Sequence, residues 1–405
     1  MDRGNSALWD VIVVGAGPAG SAAAYVLAGA GVKVLLADRQ EFPREKVCGD
    51  GVSSDGLALL AQMGLRDWAA HEEFVAPRSL LLSAPNGMSA SVNYDSVPFC
   101  YGRVIPRDVL DAALVRRAVT VGAHFVEKFH VRHCVRLNTQ TVRVEGVIAG
   151  QPATDEAHLV IIAEGARAAL SREMGLTHSA PDLVAVRGYF DGASGPDDLL
   201  EIHYTRSVTP GYVWVFPLGK GRVNVGLGTF ARQVKRGHLN LTAELKQAIA
   251  ETPQLRRRLE HSVPESPVRG CPLRTNLLKS RLCGDNVLVA GEAAHLVNPL
   301  TGEGIAPALE SGMLAARQAI SALREGNFSR ETLAPYATQI KARYAADHRA
   351  ALLLRQVAKY PCVMNHVIRR AKTDEDLTRT IGLAIIGVTS PRVLLKPSMW
   401  VRYLF

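Results

Sequence analysis

The chain has 405 residues, 47% of them hydrophobic, and a formal net charge of +9 at pH 7. That length and apolar content allow a sizeable buried core and more than one subdomain. No charge-free apolar run reaches the roughly 18 residues a spanning helix needs, and the opening MDRGNSALWD has no apolar secretory segment, so a cytoplasmic protein without a transmembrane helix is expected. The six cysteines, at 48, 100, 134, 271, 283 and 362, have neither C-x-x-C nor zinc-finger spacing. Reduced thiols and no metal site are expected. The dispersed basic excess suits an anionic substrate, an anionic membrane surface or simply a solvated surface. No nucleic-acid motif accompanies it.

In chain order, DVIVVGAG is a β-branched apolar run ending in glycines, as a buried parallel strand should. PAGSAAAYVLAGAG is alanine-rich with helical spacing and stops at glycine, and VKVLLAD is a second buried strand ending in an acid. Two later segments, HLVIIAEG (158–165) and NVLVAGE (286–292), have the texture of further strands of the same sheet. Between them, the stretch around YVWVFPLGKGRVNVGLGTF alternates apolar positions between turns, as an antiparallel sheet does. Beyond about residue 305 the pattern is helical. The expected fold is α/β: a Rossmann-like dinucleotide-binding domain (1–80, 103–180 and 272–330), an inserted, mostly antiparallel β-sheet substrate domain (81–102 and 181–271), and a helical C-terminal region (331–405).

Gly15, Gly17 and Gly20 form G-x-G-x-x-G between strand and helix, and Asp38 closes the next strand. Such glycines let the backbone approach a pyrophosphate, the helix N-terminus offers free N–H groups, and the acid accepts from a ribose diol. A second half-site, GEAAHLVNPLTGEGI, runs from Glu292 at a strand end through Pro299, Gly302 and Gly304 into a helix at Ile305. A carboxylate there can hold a polyol chain and the helix start can face a phosphate or flavin carbonyl edge. A cofactor as long as FAD needs both half-sites.

With these segments in hand, the chain resembles the FAD-dependent oxidoreductases of the aromatic-hydroxylase fold, and within them the geranylgeranyl reductases. VVGAGPAGSAAA with LLADR, PREKVCGDGVSS, PGYVWVFPLGKGRVNVGLG and GEAAHLVNPLTGEGI carry the resemblance. It implies non-covalent FAD, held by Gly15, Gly17, Ala19, Gly20, Asp38 and Arg39 at one end, and by Glu292, Pro299, Gly302, Gly304 and Ile305 at the other. Cys48 and Gly49 would lie against the ring, with Arg107 near the flavin. Glu164 and Glu292 stand where the family pattern has aspartate, and His295 resembles the hydroxylase version; its side chain is expected to bond to backbone.

The implied activity is reduction of C=C bonds in a prenyl or other hydrophobic substrate. Hydride would come from reduced flavin, and a proton from the K-x-C-G-D loop or solvent. Cys48, with Lys46 lowering its pKa, and Asp50 are the candidate acids. Tyr212, Trp214 and Phe216 alternate on one strand face and are candidate pocket walls. With no second G-x-G-x-x-G, the donor, NAD(P)H or a reduced carrier protein, is expected to bind transiently. An FAD-dependent monooxygenase or epoxidase, less so a halogenase, and a non-catalytic flavin-binding protein are the alternatives. From Pro361 onward seven Lys or Arg face three Asp or Glu, and the chain ends with Trp400, Tyr403, Leu404 and Phe405. That composition suits peripheral membrane contact or the wall of a lipid-accepting tunnel.

Overall fold

A computed structural model describes residues 8–94, 102–237 and 239–404. Cys100 and Phe405, named above, lie outside the described residues.

The β-branched runs pair as their pattern predicts. Strand Trp9–Val14 sits between Val34–Ala37 and Gln151–Ile162, all parallel, and Val287–Val289 continues the sheet beyond Ile162. Val11, Ile12, Leu35, Val160 and Leu288 are fully or almost fully buried, each contributing about 2 kcal/mol by leaving water. The sheet order is Cys283–Gly284, Val287–Val289, Gln151–Ile162, Trp9–Val14, Val34–Ala37, His124–Val126, with the hairpin Phe129–Arg136 and Val142–Ile148 added through Gln151–Ile162.

Two helices cross at the mouth of this sheet. Pro18–Gly29 packs on Ile305–Glu325 through small residues. A methyl group added at Gly312 would stand 2.0 Å from the Ala19 carbonyl oxygen, and one at Gly20 would stand 1.7 Å from that of Gly15. The small residues therefore set how closely helix, helix and strand approach.

The second sheet has the order Val263–Pro264, Leu183–Asp191, Arg222–Phe230, Tyr212–Gly219, Leu199–His203, Ser79–Ser83, Ser89–Asn93, and Arg269–Leu273 also pairs with Leu183–Asp191. Its pairings are antiparallel except Leu199–His203 with Ser79–Ser83. Helices Arg330–Ala358, Pro361–Ala371, Glu375–Ile385 and Pro397–Leu404 follow. They share a buried apolar cluster with this sheet, built from Leu80, Leu82, Tyr94, Ile368, Leu377 and Ile381. The C-terminal region is thus a third wall rather than a free tail.

Candidate active site

The two sheets and the C-terminal helices enclose one cavity of about 1090 Å³, at the top of the usual range for ligand pockets. Both glycine turns open into it. The helix beginning at Pro18 has Gly17 as N-cap, no side-chain cap and no acid in its first turn; the helix beginning at Ile305 has Gly304 as N-cap and likewise no side-chain cap. Their first N–H groups are left for a ligand, and both dipoles favour negative charge there.

A methyl group at Gly17 would meet only Arg44 Nη2, at 3.4 Å. The Gly17 turn is therefore open toward the cavity, and a guanidinium stands over it. Arg44 is held by Asp111 (3.1 Å) and lies 4.8 Å from the Phe42 ring centroid. Asp38 accepts from the Ala16 amide (2.8 Å) and the Gln40 amide (2.9 Å), which fixes the carboxylate at the strand end with one lone pair per oxygen to spare. Arg39 lines the cavity beside it, and burial, together with Arg167, lowers its pKa.

The loop 45–50 is clamped from behind by the second sheet. Arg187, fully buried, donates to the Cys48 carbonyl (3.2 Å), the Lys46 carbonyl (3.1 Å) and the Glu45 carboxylate (2.7 Å). On the adjacent strand, Asn224 donates to the Cys48 carbonyl (2.8 Å) and to Asp50 (2.7 Å), and accepts from Trp214 Nε1 (2.9 Å). Tyr189 donates to Asp50 (2.7 Å).

Cys48, Gly49 and Gly51 line the cavity, whereas Asp50, in left-handed conformation and fully buried, faces the sheet. Burial pushes its pKa up to about 6, against the pull of Arg187, Tyr189 and Asn224. The sequence grouped Asp50 with Cys48 as an acid facing substrate, but the turn sends them to opposite sides. Lys46 also differs from expectation. Its Nζ lies 2.8 Å from Cys271 Sγ and 3.8 Å from Glu292, far along the chain. Burial alone would lower its pKa, but Glu292 and Cys271 outweigh that and raise it. The cation beside the Cys48 thiol is instead Arg107, which is locked to Asp111 by two bonds of 2.9 and 2.8 Å.

The aromatic strand joins the two turns. A methyl group at Gly49 would stand 3.0 Å from the Phe216 ring and 3.4 Å from Trp214 Nε1. Tyr212 bonds through its hydroxyl to the Thr301 carbonyl, beside Gly302. Trp214 lies across Gly226, its cross-strand partner; any side chain there would collide with the indole at 2.1 Å. Glu292, Pro299, Gly302, Gly304 and Ile305 complete the rim, and of the sequence-named site residues only Asp50 and Gly20 do not line the cavity. His295 is fully buried, and its ring bonds to the Thr177 hydroxyl (2.7 Å) rather than to backbone. Burial and Arg274 push its pKa down to about 4, so it is neutral at physiological pH.

The sequence reading did not single out Arg44, Ser53, Arg187, Tyr189, Asn224 or Glu303. Arg44, Ser53 and Glu303 lie inside quoted motifs and could be found there. Arg187, Tyr189 and Asn224 sit in strands whose pattern shows only alternation.

Residues 9–350 match the FAD binding domain family. The chain belongs to that family. FAD is its cofactor, and the site fits it: two uncapped helix starts, an open Gly17 turn, and buried polar atoms without protein partners at Glu292 Oε1 and Arg44 Nε. This flavoprotein is 36% identical over 320 residues to a menaquinone reductase of Mycobacterium tuberculosis, covering 76% of this chain and 75% of that one. It is 31% identical over 401 residues to digeranylgeranylglycerophospholipid reductase 2 of Methanopyrus kandleri, covering 96% and 97%. Among solved structures, a geranylgeranyl bacteriochlorophyll reductase-like protein from Thermoplasma acidophilum superposes with TM-score 0.81 at 23% identity, covering 96% of this chain and 98% of that one. A flavin-dependent brominase superposes with TM-score 0.77 at 17% identity, covering 96% and 97%. The likeness to these two structures is one of fold. The flavoprotein is an FAD-dependent oxidoreductase of the geranylgeranyl reductase-like kind.

Proposed function

We propose that this flavoprotein saturates isolated C=C bonds in a polyprenyl chain carried by a lipid or quinone. The observation that carries this reading is the cavity itself. Besides the flavin cradle it is lined by Ile202, Leu354, Val363, Ile381 and Ile385, and by Val357 and Trp400, which are 45% and 55% exposed. An apolar cavity of that kind suits a long hydrocarbon, and two reductases similar in sequence are named for menaquinone and digeranylgeranylglycerophospholipid.

FAD, once reduced, supplies a hydride. The chain's own residues do the rest. Arg44 and the two helix starts bind the cofactor's negative charge, and Arg187 and Asn224 hold the Cys48–Gly49 backbone against the ring position. Tyr212, Trp214 and Phe216 exclude water and orient the alkene. The roles of Lys46 and Cys48 follow their contacts: Lys46 balances Glu292, and Cys48 is a cavity contact beside Arg107. On the same reading the discontinuous nucleotide-binding unit holds FAD and the antiparallel unit holds substrate. NAD(P)H or a reduced carrier protein is the transient donor.

The channel mouth also suits contact with a membrane surface. Leu353, Val357, Tyr360, Trp400 and Val401 are exposed there, and the C-terminal region carries the basic excess noted above. Anaerobic reoxidation of the reduced flavin tests the reading. A geranylgeranyl lipid without a quinone ring should reoxidise it, whereas its fully saturated counterpart should leave it reduced.

A further inference from the structure

Reduction of an unpolarised alkene needs a proton, and among the described residues five carboxyl groups line the cavity: Asp38, Glu45, Glu164, Glu292 and Glu303. Four have backbone amide or cationic partners. Asp38 accepts two backbone amides; Glu45 lies between Arg187 (2.7 Å) and Arg269 (3.0 Å); Glu164 accepts from the Ser171 amide (3.0 Å); Glu292 lies 3.8 Å from Lys46. Among the described residues Glu303 has no cation within ion-pair distance, and the Ser53 hydroxyl is hydrogen-bonded to its carboxyl.

Its placement is as specific as its isolation. Glu303 follows the Thr301–Gly302 turn that Tyr212 holds, directly before the uncapped helix start at Gly304. On its other side, a methyl group at Gly387 of the C-terminal region would stand 2.6 Å from its carboxylate oxygen. The flavin turn and the C-terminal wall therefore meet at this side chain, and the aromatic strand holds the turn just before it. Glu303 is half-buried and lines the cavity.

We infer that Glu303 is the proton donor of the reaction, with Ser53 as the group through which it is recharged. This rests on the reductase reading. The step balances as follows. Reduced flavin delivers a hydride, two electrons with a proton, to one alkene carbon. The other carbon takes the proton from Glu303, the C=C π bond becomes two C–H bonds, and oxidised flavin and the Glu303 carboxylate remain. The carboxylate is reprotonated from solvent by way of the Ser53 hydroxyl. The NAD(P)H or carrier protein named above then restores the flavin. Burial favours the acid form: it pushes the Glu303 pKa up to about 7, Asp55 adding to this while the Ser53 hydrogen bond and Arg343 oppose it. Tyr344 is the remaining titratable neighbour.

Glu303→Gln, nearly isosteric, tests the assignment in the FAD-loaded protein with a geranylgeranyl lipid as probe. Bound FAD should be retained, single-turnover alkene reduction should fall by roughly 10²- to 10⁴-fold, and the wild-type loss of rate as pH rises through about 7 should vanish. A second readout does not depend on turnover. A carboxyl whose folded pKa is raised above its unfolded value loses stability as pH rises between the two. The wild type should therefore lose thermal stability between about 4.5 and about 7, and Glu303→Gln should flatten that slope. Ser53→Ala should slow repeated turnovers more than the first. Full reduction by Glu303→Gln with an unchanged pH profile and slope would overturn the assignment alone. No saturated product from the wild type would overturn the reductase reading and the assignment with it.

Discussion

Arg187 holds the 45–50 loop from behind. Without this fully buried guanidinium the Lys46 carbonyl loses its donor, while the Cys48 carbonyl keeps Asn224 and Glu45 keeps Arg269. Losing such hydrogen bonds to a buried charged group costs about 1–3 kcal/mol. Arg187→Met should therefore lower the denaturation midpoint by that measure and weaken FAD binding, read by flavin fluorescence on titration. Asp50 has the opposite character. Its pKa of about 6 lies above the ordinary 3.8, so the folded state holds its proton more tightly, and the group withdraws stability as pH rises between those values. Asp50→Asn keeps a partner for Tyr189 and removes the buried charge. It should raise thermal stability above about pH 6 and leave alkene reduction within severalfold of wild type. A loss of activity as large as that predicted for Glu303→Gln would restore Asp50 as a direct acid.

The glycines of the first turn divide between packing and binding, and substitution should separate the two. At Gly20 a methyl group would overlap the Gly15 carbonyl oxygen, so Gly20→Ala must push helix from strand; about 3 kcal/mol of stability or outright misfolding is expected on calorimetry. At Gly17 a methyl group meets only the end of a flexible arginine. Gly17→Ala should fold normally and bind FAD roughly tenfold less tightly. Equal Tm losses for the two variants would contradict this division. These elements were legible in the sequence because each local signal agreed with its neighbours: β-branched run, glycine turn, alanine-rich helix, acid at the next strand end. The clamp on the 45–50 loop was not. It depends on the register of Leu183–Asp191 against Arg222–Phe230, which sets Tyr189 opposite Asn224, and alternation alone does not reveal which residue faces which. The left-handed turn at Asp50 was equally hidden, since it needs a positive φ at a residue that is not glycine. Lys46 finding Cys271 is a contact across 225 positions that no local pattern carries.

As a whole the molecule joins a nucleotide cradle to a channel whose last wall is the C-terminal region. No helix among the described residues is long and apolar enough to cross a membrane. On the proposed reading a lipid substrate enters from a membrane surface, which Trp400 and Val401, 55% and 59% exposed, would touch. Trp400→Glu with Val401→Glu should reduce co-sedimentation with anionic liposomes while leaving bound FAD and the melting temperature unchanged; undiminished binding would remove the membrane contact from the account. The division between reductase and oxygenase chemistry is settled by product mass. FAD-loaded protein reduced with dithionite is incubated with a geranylgeranyl lipid, once without oxygen and once in air. The account predicts a product heavier by two hydrogens for each bond saturated, formed without oxygen. A side chain that stays unsaturated without oxygen and gains an oxygen atom in air would contradict it.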